Sequence, residues 1–178
     1  YTCTIQDINL CSLTQTASLS QPSAITSSIT SQTNVSCNGG NNGSTLINAS
    51  GGTGVLTYTW QPTGGSSTSA SSLSAGNYTC TIADANSCVK QQTVSITQPS
   101  SVSTTISSLN NIACFGNQNG SATVIASGGA GSYTYSWSPS SVGTSSTATN
   151  LGAGTYTCLI TDINNCNIST TLSITEPS

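Results

Sequence analysis

The sequence contains no histidine and no methionine, and it is almost uncharged. General acid–base catalysis needs titratable groups gathered in one place, so we expect no enzyme, no catalytic residue and no cofactor. A single cation cannot neutralise a row of phosphates or hold the chain on an anionic bilayer. We therefore expect no binding to nucleic acid. The charged side chains are Asp7, Asp84, Lys90, Asp162 and Glu176.

The sequence also lacks a run of 18 apolar residues, a signal-peptide pattern and a Cys-X-X-Cys pair. These absences predict no membrane insertion and no zinc site. Eight Cys without any His favour an oxidising compartment. Because the chain starts inside a pattern that recurs later, we expect a part of a longer secreted protein with an extracellular or cell-surface location.

What the sequence has in abundance is Ser and Thr, more than a third of all residues. Such compositions are often disordered. Here, however, the apolar residues are patterned and the Cys recur at fixed spacing, which predicts folded modules.

Internal repetition decides the organisation. The segment 1–5 (YTCTI) returns at 78–82 and, as YTCLI, at 156–160, with offsets of 77 and 78 residues. Cys11, Cys88 and Cys166 correspond in the same way, as do Trp60 and Trp137. We expect three units: 1–22, the C-terminal hairpin of an upstream repeat; 23–100, a complete repeat; and 101–178, a second complete repeat.

Within a repeat the pattern indicates strands only. Apolar and polar residues alternate in 57–60, 78–82 and 93–96, and clusters of Asn, Gly and Pro mark turns between them. Six or seven short strands in about 77 residues predict an all-β, immunoglobulin-like sandwich. Tyr78 and Tyr156 follow a bend before a strand, as in a tyrosine corner, and Trp60 and Trp137 are candidate core residues.

Several motifs together resemble a known family: CNGGNNGS at 37–44, SGG at 50–52, YTW at 58–60, AGNYT at 75–79 and DANSC at 84–88. They are similar to the gliding-adhesin (SprB-type) repeat of Bacteroidetes surface proteins and to the wider polycystic-kidney-disease-like (PKD-like) domains. The resemblance implies an exported surface or filament protein that works in adhesion or surface motility. It implies no catalytic residue.

Each repeat has three cysteine positions, an odd number that cannot pair completely within one repeat. A Cys80–Cys88 bond is unfavourable, because the tight turn at 84–87 leaves these residues some 10 Å apart along the hairpin. Three partners remain open for Cys37: Cys80, Cys88 or Cys166. The remaining disulfide candidates are Cys3, Cys11, Cys114 and Cys158.

Tandem sandwiches run head to tail, and this favours Cys166 as the partner of Cys37. Cys37 follows the first strand and lies at the bottom of its repeat, whereas Cys166 follows the last hairpin turn and lies at the top of the next. The short junction 98–100 brings those ends together. By the same logic Cys88 pairs upstream, Cys114 pairs downstream, and Cys3, Cys80 and Cys158 remain buried thiols.

Other candidate sites favour structural roles. The Asn/Gly loops 38–43 and 116–120 contain no carboxylate, so we expect turns and no metal there. Asp7, Asp84 and Asp162 recur at one position and are predicted to cap their own turns. Tyr58, Tyr133 and Tyr135 with the two Trp are candidates for a sugar-stacking face.

Six Asn-X-Ser/Thr sequons are candidate glycosylation sites: Asn34, Asn42, Asn48, Asn77, Asn119 and Asn167.

We therefore expect a structural or adhesive segment that acts as a shaft or spacer. Its expected partners are neighbouring repeats of the same chain, other copies in a fibre, and surface glycans. The alternatives are a glycan- or protein-binding module of an adhesin and a domain accessory to a secreted enzyme. A pure shaft should bind nothing on a glycan array, whereas a binding module should.

Overall fold

The computed structural model describes residues 1–178 and consists of strands, with one three-residue 3-10 turn at Ser140–Val142. The expected all-β, immunoglobulin-like class is confirmed. A first hairpin comprises β1 (Thr2–Gln6) and β2 (Ser12–Thr16). Sandwich 1 comprises β3 (Thr26–Thr33), β4 (Gly43–Ser50), β5 (Thr57–Gln61), β6 (Ser69–Leu73), β7 (Gly76–Ala83) and β8 (Val89–Ile96). Sandwich 2 comprises β9 (Ser103–Asn110), β10 (Gly120–Ser127), β11 (Thr134–Ser138), β12 (Thr147–Leu151), β13 (Gly154–Thr161) and β14 (Asn167–Ile174).

Both sandwiches have the same topology. Two antiparallel three-stranded sheets face each other, in the orders β3-β4-β6 and β5-β7-β8 in sandwich 1, and β9-β10-β12 and β11-β13-β14 in sandwich 2. The first and last strands of a sandwich lie side by side and run in the same direction. Just after β3 and β8 end, Val35 N–H donates to the carbonyl of Thr97 (2.9 Å), which shows that the C-terminal ends of these two strands lie together. We call the end where β3 or β9 begins the top, and the other end the bottom.

The core of each sandwich comes from the alternation along its strands, since alternate side chains point to the same face. Trp60, Cys80 and Ile82 are at most 3% exposed, and Trp137, Cys158 and Ile160 repeat the arrangement. The indole N–H of Trp60 donates to Ser67 O (2.9 Å), which satisfies its one polar atom inside the core. The two Trp are buried, as predicted. Of the two corner tyrosines, Tyr78 is buried, whereas Tyr156 is half-buried.

The tyrosine corner is present in both sandwiches. The hydroxyl of Tyr78 donates to Ser74 O, and that of Tyr156 donates to Gly152 O, each at 3.0 Å. The bond ties the start of β7 or β13 to the bend before it, so that the ring stays at the edge of the core.

The first hairpin differs from its counterparts in its surroundings. The register of β1 on β2 places Cys3 opposite Gln15, as β7 on β8 places Cys80 opposite Gln92. No facing sheet covers it, however, and its large apolar side chains are 62–98% exposed. They are Tyr1, Ile5, Ile8, Leu10, Leu13 and Leu19.

Candidate functional site at the junction of the sandwiches

A disulfide joins the two sandwiches where they meet. Cys37 and Cys166 are bonded, with their Cα atoms 5.6 Å apart, inside the 4.4–6.8 Å range of such bonds. Cys37 belongs to the bottom of sandwich 1, and Cys166 to the top of sandwich 2. The bond is the head-to-tail pairing favoured by the sequence, and we call it the junction disulfide.

Local backbone structure places Cys37 at the bottom of sandwich 1. After β3 the chain is held by buried Val35, and a turn follows in which Gly40 N–H donates to Cys37 O (3.0 Å). Gly39 occupies this turn with φ +76°, a conformation that favours glycine. The predicted turn role of this Asn/Gly loop agrees with the geometry.

A carboxylate places Cys166 at the top of sandwich 2. Asp162 Oδ1 accepts hydrogen bonds from the N–H groups of Asn164 and Cys166, both at 2.9 Å. Its Oδ2 accepts one from Ala130 N–H (2.8 Å) in the loop between β10 and β11. The side chain is buried. These three hydrogen bonds, that from Ala130 foremost, hold the pKa of Asp162 below its ordinary value.

The reach of this carboxylate to a second loop was not predicted from the sequence. Asp84 does the same in sandwich 1, where Oδ2 accepts from Thr53 N–H (2.9 Å). The sequence signal for this second contact is the Gly-Gly pair at the start of each accepting loop, at 51–52 and 128–129. A Cβ on Gly52 would lie 2.9 Å from Asp84 Cβ, so only a glycine lets the loop approach the carboxylate this closely.

Hydrogen bonds from side chains and from the linker, residues 97–102 between β8 and β9, add to the junction. Asn164 Nδ2 donates to Ser36 O (3.0 Å), directly across the interface. Gln98 Oε1 accepts from Gly39 N–H (2.8 Å), and Asn38 Nδ2 donates to Pro99 O (3.1 Å). The linker is therefore bonded to the loop that carries Cys37, so that the contact between the sandwiches consists of more than the disulfide.

Each side of the junction has an equivalent at an outer end of the pair of sandwiches, and we call these equivalents the outer half-sites: the turn that contains Cys88 and the loop that contains Cys114. At the top of sandwich 1, Asp84 Oδ1 accepts from Asn86 N–H and Cys88 N–H, both at 2.9 Å. At the bottom of sandwich 2, Gly116 N–H donates to Glu176 Oε2 (2.8 Å), in the place of the Gly39–Gln98 bond. Cys88 and Cys114 are exposed and unbonded in the described chain.

The remaining cysteines fall into two groups. Cys80 and Cys158 are fully buried thiols, as predicted, and burial raises the pKa of each. The same prediction is wrong for Cys3, which is exposed with Cys11 on the first hairpin, because no facing sheet covers that hairpin. There Asp7 Oδ1 accepts from Cys11 N–H (2.8 Å) and Asn9 N–H (2.9 Å), which completes the set of three turn-capping Asp residues predicted from the sequence.

The aromatic residues do not form one sugar-stacking face. Trp60 and Trp137 are buried in the two cores, and Tyr58, Tyr133 and Tyr135 are half-buried against them. The five rings therefore serve packing, and the two Trp have no surface to offer a sugar.

The six sequon asparagines have different surroundings. Asn34 Oδ1 accepts from Thr97 N–H (3.1 Å), and Asn42 Oδ1 accepts from Ser36 N–H (3.0 Å), so both amides are used in loop structure. The other four are exposed, and their side chains make no hydrogen bond: Asn48, Asn77, Asn119 and Asn167. Glycosylation therefore remains a prediction, with these four as the accessible positions.

The remaining site chemistry is sparse. No three His, Cys, Asp or Glu side chains are grouped as a metal site would need. No helix has the length and apolar character needed to cross a bilayer.

Comparison with known proteins finds one family model that matches a part of each repeat. Residues 29–65 and 106–142 each match the SprB repeat, which confirms the tandem repeat expected from the sequence. No curated protein matched. One similar structure is the C-terminal 282-residue fragment of intimin in complex with the translocated intimin receptor (Tir) intimin-binding domain. It is 15% identical with a TM-score of 0.40, over 88% of this chain and 64% of that fragment, so the chain spans less than two thirds of it. Another is Dpr11 IG1 bound to DIP-gamma IG+IG2, 13% identical with a TM-score of 0.33, over 86% and 100%.

Proposed function

We propose that this pair of SprB-type repeats is a segment of an extracellular shaft or spacer on a bacterial surface protein or filament. The observation that carries the proposal is the junction disulfide with its linker contacts. A protein that only displays independent binding domains does not need a fixed angle between them. A shaft does, because its reach depends on consecutive repeats keeping one direction.

The outer half-sites extend this proposal beyond the described residues. Cys88 lies at the top of sandwich 1 in an Asp-capped turn equivalent to the turn of sandwich 2 that contains Cys166. Cys114 follows β9 in the same way as Cys37 follows β3. We propose that Cys88 pairs with a cysteine of a preceding repeat and Cys114 with one of a following repeat. The first hairpin then belongs to that preceding repeat, whose remaining strands cover Tyr1 and Ile5.

The proposal assigns no catalytic role. Each of the three Asp residues is engaged in a turn by backbone N–H groups, and none has an acid or base partner. The proposed surroundings are outside the cell, where thiols oxidise and the disulfide persists.

A binding assay on the described chain separates shaft from binding module. The protein is applied to a glycan array and to host-protein panels, with a denatured sample as the control for non-specific adsorption. The shaft proposal expects no saturable binding. Saturable binding that the folded protein alone shows would instead identify an adhesin module.

A further inference from the structure

The junction disulfide changes which residues would carry a pulling force. It joins positions that are 129 residues apart. When tension is applied outside this loop, the shortest covalent path runs from Cys37 through the two sulfur atoms to Cys166. We propose that the bond removes residues 38–165 from the path of force, so that the segment resists extension even when its sandwiches unfold.

The elements on either side of the bond show what is protected. The loop contains β4 to β8 of sandwich 1 and β9 to β13 of sandwich 2. It therefore includes both buried Trp and every central strand. Outside it are the first hairpin, β3 and β14. Pulling can detach those strands but cannot draw out the rest of either core.

The lengths involved are very different with and without the bond. From Tyr1 to Cys37 there are 36 peptide steps, and from Cys166 to Ser178 there are 12. At about 3.4 Å per step, the bonded chain reaches roughly 170 Å at full extension. Without the bond all 178 residues contribute, and the chain reaches roughly 600 Å.

In a longer array, which rests on the proposed function, the same rule gives two interleaved covalent paths. One path would enter at Cys88, follow β8, the linker and β9, and leave at Cys114. This segment has 26 peptide steps and a reach of about 90 Å. Its two strands run top to bottom and are already extended at about 3.3 Å per residue. Unfolding the sandwiches would thus add little length to the shaft.

Single-molecule pulling of the full described chain tests the inference. Handles are joined enzymatically to the two termini, which leaves the free thiols untouched, and reductant is added after the first extension. We expect a limit of roughly 170 Å before reductant, followed by a single gain of roughly 430 Å when the bond breaks and its 129 steps are released.

Matched variants complete the test. Cys37→Ser with Cys166→Ser should extend to roughly 600 Å without reductant, whereas Cys88→Ser with Cys114→Ser should behave like the parent chain. Extension to roughly 600 Å by parent molecules in which mass spectrometry finds the bond would overturn the force path. Absence of the Cys37–Cys166 bond from the parent protein would overturn the observation on which the force path rests. Neither result depends on whether the chain binds a glycan. A failure of the shaft proposal is therefore recognised separately, by the binding assay.

Discussion

At the scale of single residues, the buried Asp of each sandwich connects two loops with one side chain. The turn-capping role was predictable, because an Asp followed by Asn or Ser and a cysteine is typical of such turns. The second contact, from Asp84 Oδ2 to Thr53 N–H, was not. It joins residues 31 positions apart, and only the packing of the two sheets brings these loops together.

The paired change Asp84→Asn and Asp162→Asn is expected to lower stability and reduce its dependence on acid. Backbone hydrogen bonds lower both pKa values in the folded state. The carboxylates therefore stabilise the fold above the ordinary pKa of 3.8, and this contribution is lost as the pH falls through the lowered folded value. Denaturant midpoints measured from pH 6 to pH 2 should fall more steeply for the parent.

Asp7→Asn is the matched control for that experiment. Asp7 caps the equivalent turn of the exposed first hairpin, where its Oδ1 accepts from the N–H groups of Asn9 and Cys11. It should leave the midpoints of both sandwiches unchanged at every pH. Parallel pH profiles for the parent and the double variant would contradict the role assigned to Asp84 and Asp162.

Trp60→Ala is expected to destabilise sandwich 1 by about 3–5 kcal/mol, because it empties the centre of a closely packed core. Thr59→Ala, on the exposed face of the same strand, should change stability by less than about 0.5 kcal/mol. Chemical denaturation followed by far-ultraviolet circular dichroism measures both, and the fluorescence of Trp137 in Trp60→Ala marks the transition of sandwich 2, so that the transition of sandwich 1 is assigned separately. A loss below about 1 kcal/mol for Trp60→Ala would place its indole at the surface.

At the scale of elements, alternation and turn residues predicted strands at the right places, because both signals are local. The burial of Trp60, Ile82 and Ile96 followed from the same pattern. The half-buried state of Tyr156, against buried Tyr78, did not. The two residues occupy equivalent positions and make the same hydroxyl contact, so their difference arises from the surrounding packing, which the local sequence does not encode.

The first hairpin should be the least protected part of the chain. Two strands without a facing sheet are marginally stable in water, and the apolar side chains of this hairpin are exposed. In hydrogen–deuterium exchange, amides of β1 and β2 should exchange far faster than those of their counterparts inside complete sandwiches, β7 with β8 and β13 with β14. Equal protection would show that the hairpin packs against another surface.

At the scale of the whole molecule, the angle between the sandwiches should depend on the junction disulfide. In Cys37→Ser with Cys166→Ser, both sandwiches should remain folded, because each keeps its own core. The distance between spin labels on the two sandwiches, measured by pulsed electron resonance, should become broadly distributed. Cys88→Ser with Cys114→Ser, which removes exposed thiols away from the junction, should keep the narrow distribution of the parent.

The head-to-tail pairing was favoured by the sequence among three open pairings of Cys37, because the order of the strands and the short junction 98–100 bring the bottom of one sandwich to the top of the next. The hydrogen bonds of Gln98 and Asn38 across the linker could not be predicted. Their partners are backbone groups, and a sequence shows which residues carry amides but not which backbone groups those amides reach.

The central claim, that a covalent bond joins the bottom of one repeat to the top of the next, is tested most directly by peptide mapping without reduction. Free thiols are alkylated first, and the chain is digested with pepsin at low pH, because a single Lys makes trypsin unsuitable. The expected result is one cross-linked pair of peptides containing Cys37 and Cys166, with Cys80 and Cys158 alkylated only after denaturation. A cross-link from Cys37 to Cys80 or Cys88 would contradict the account.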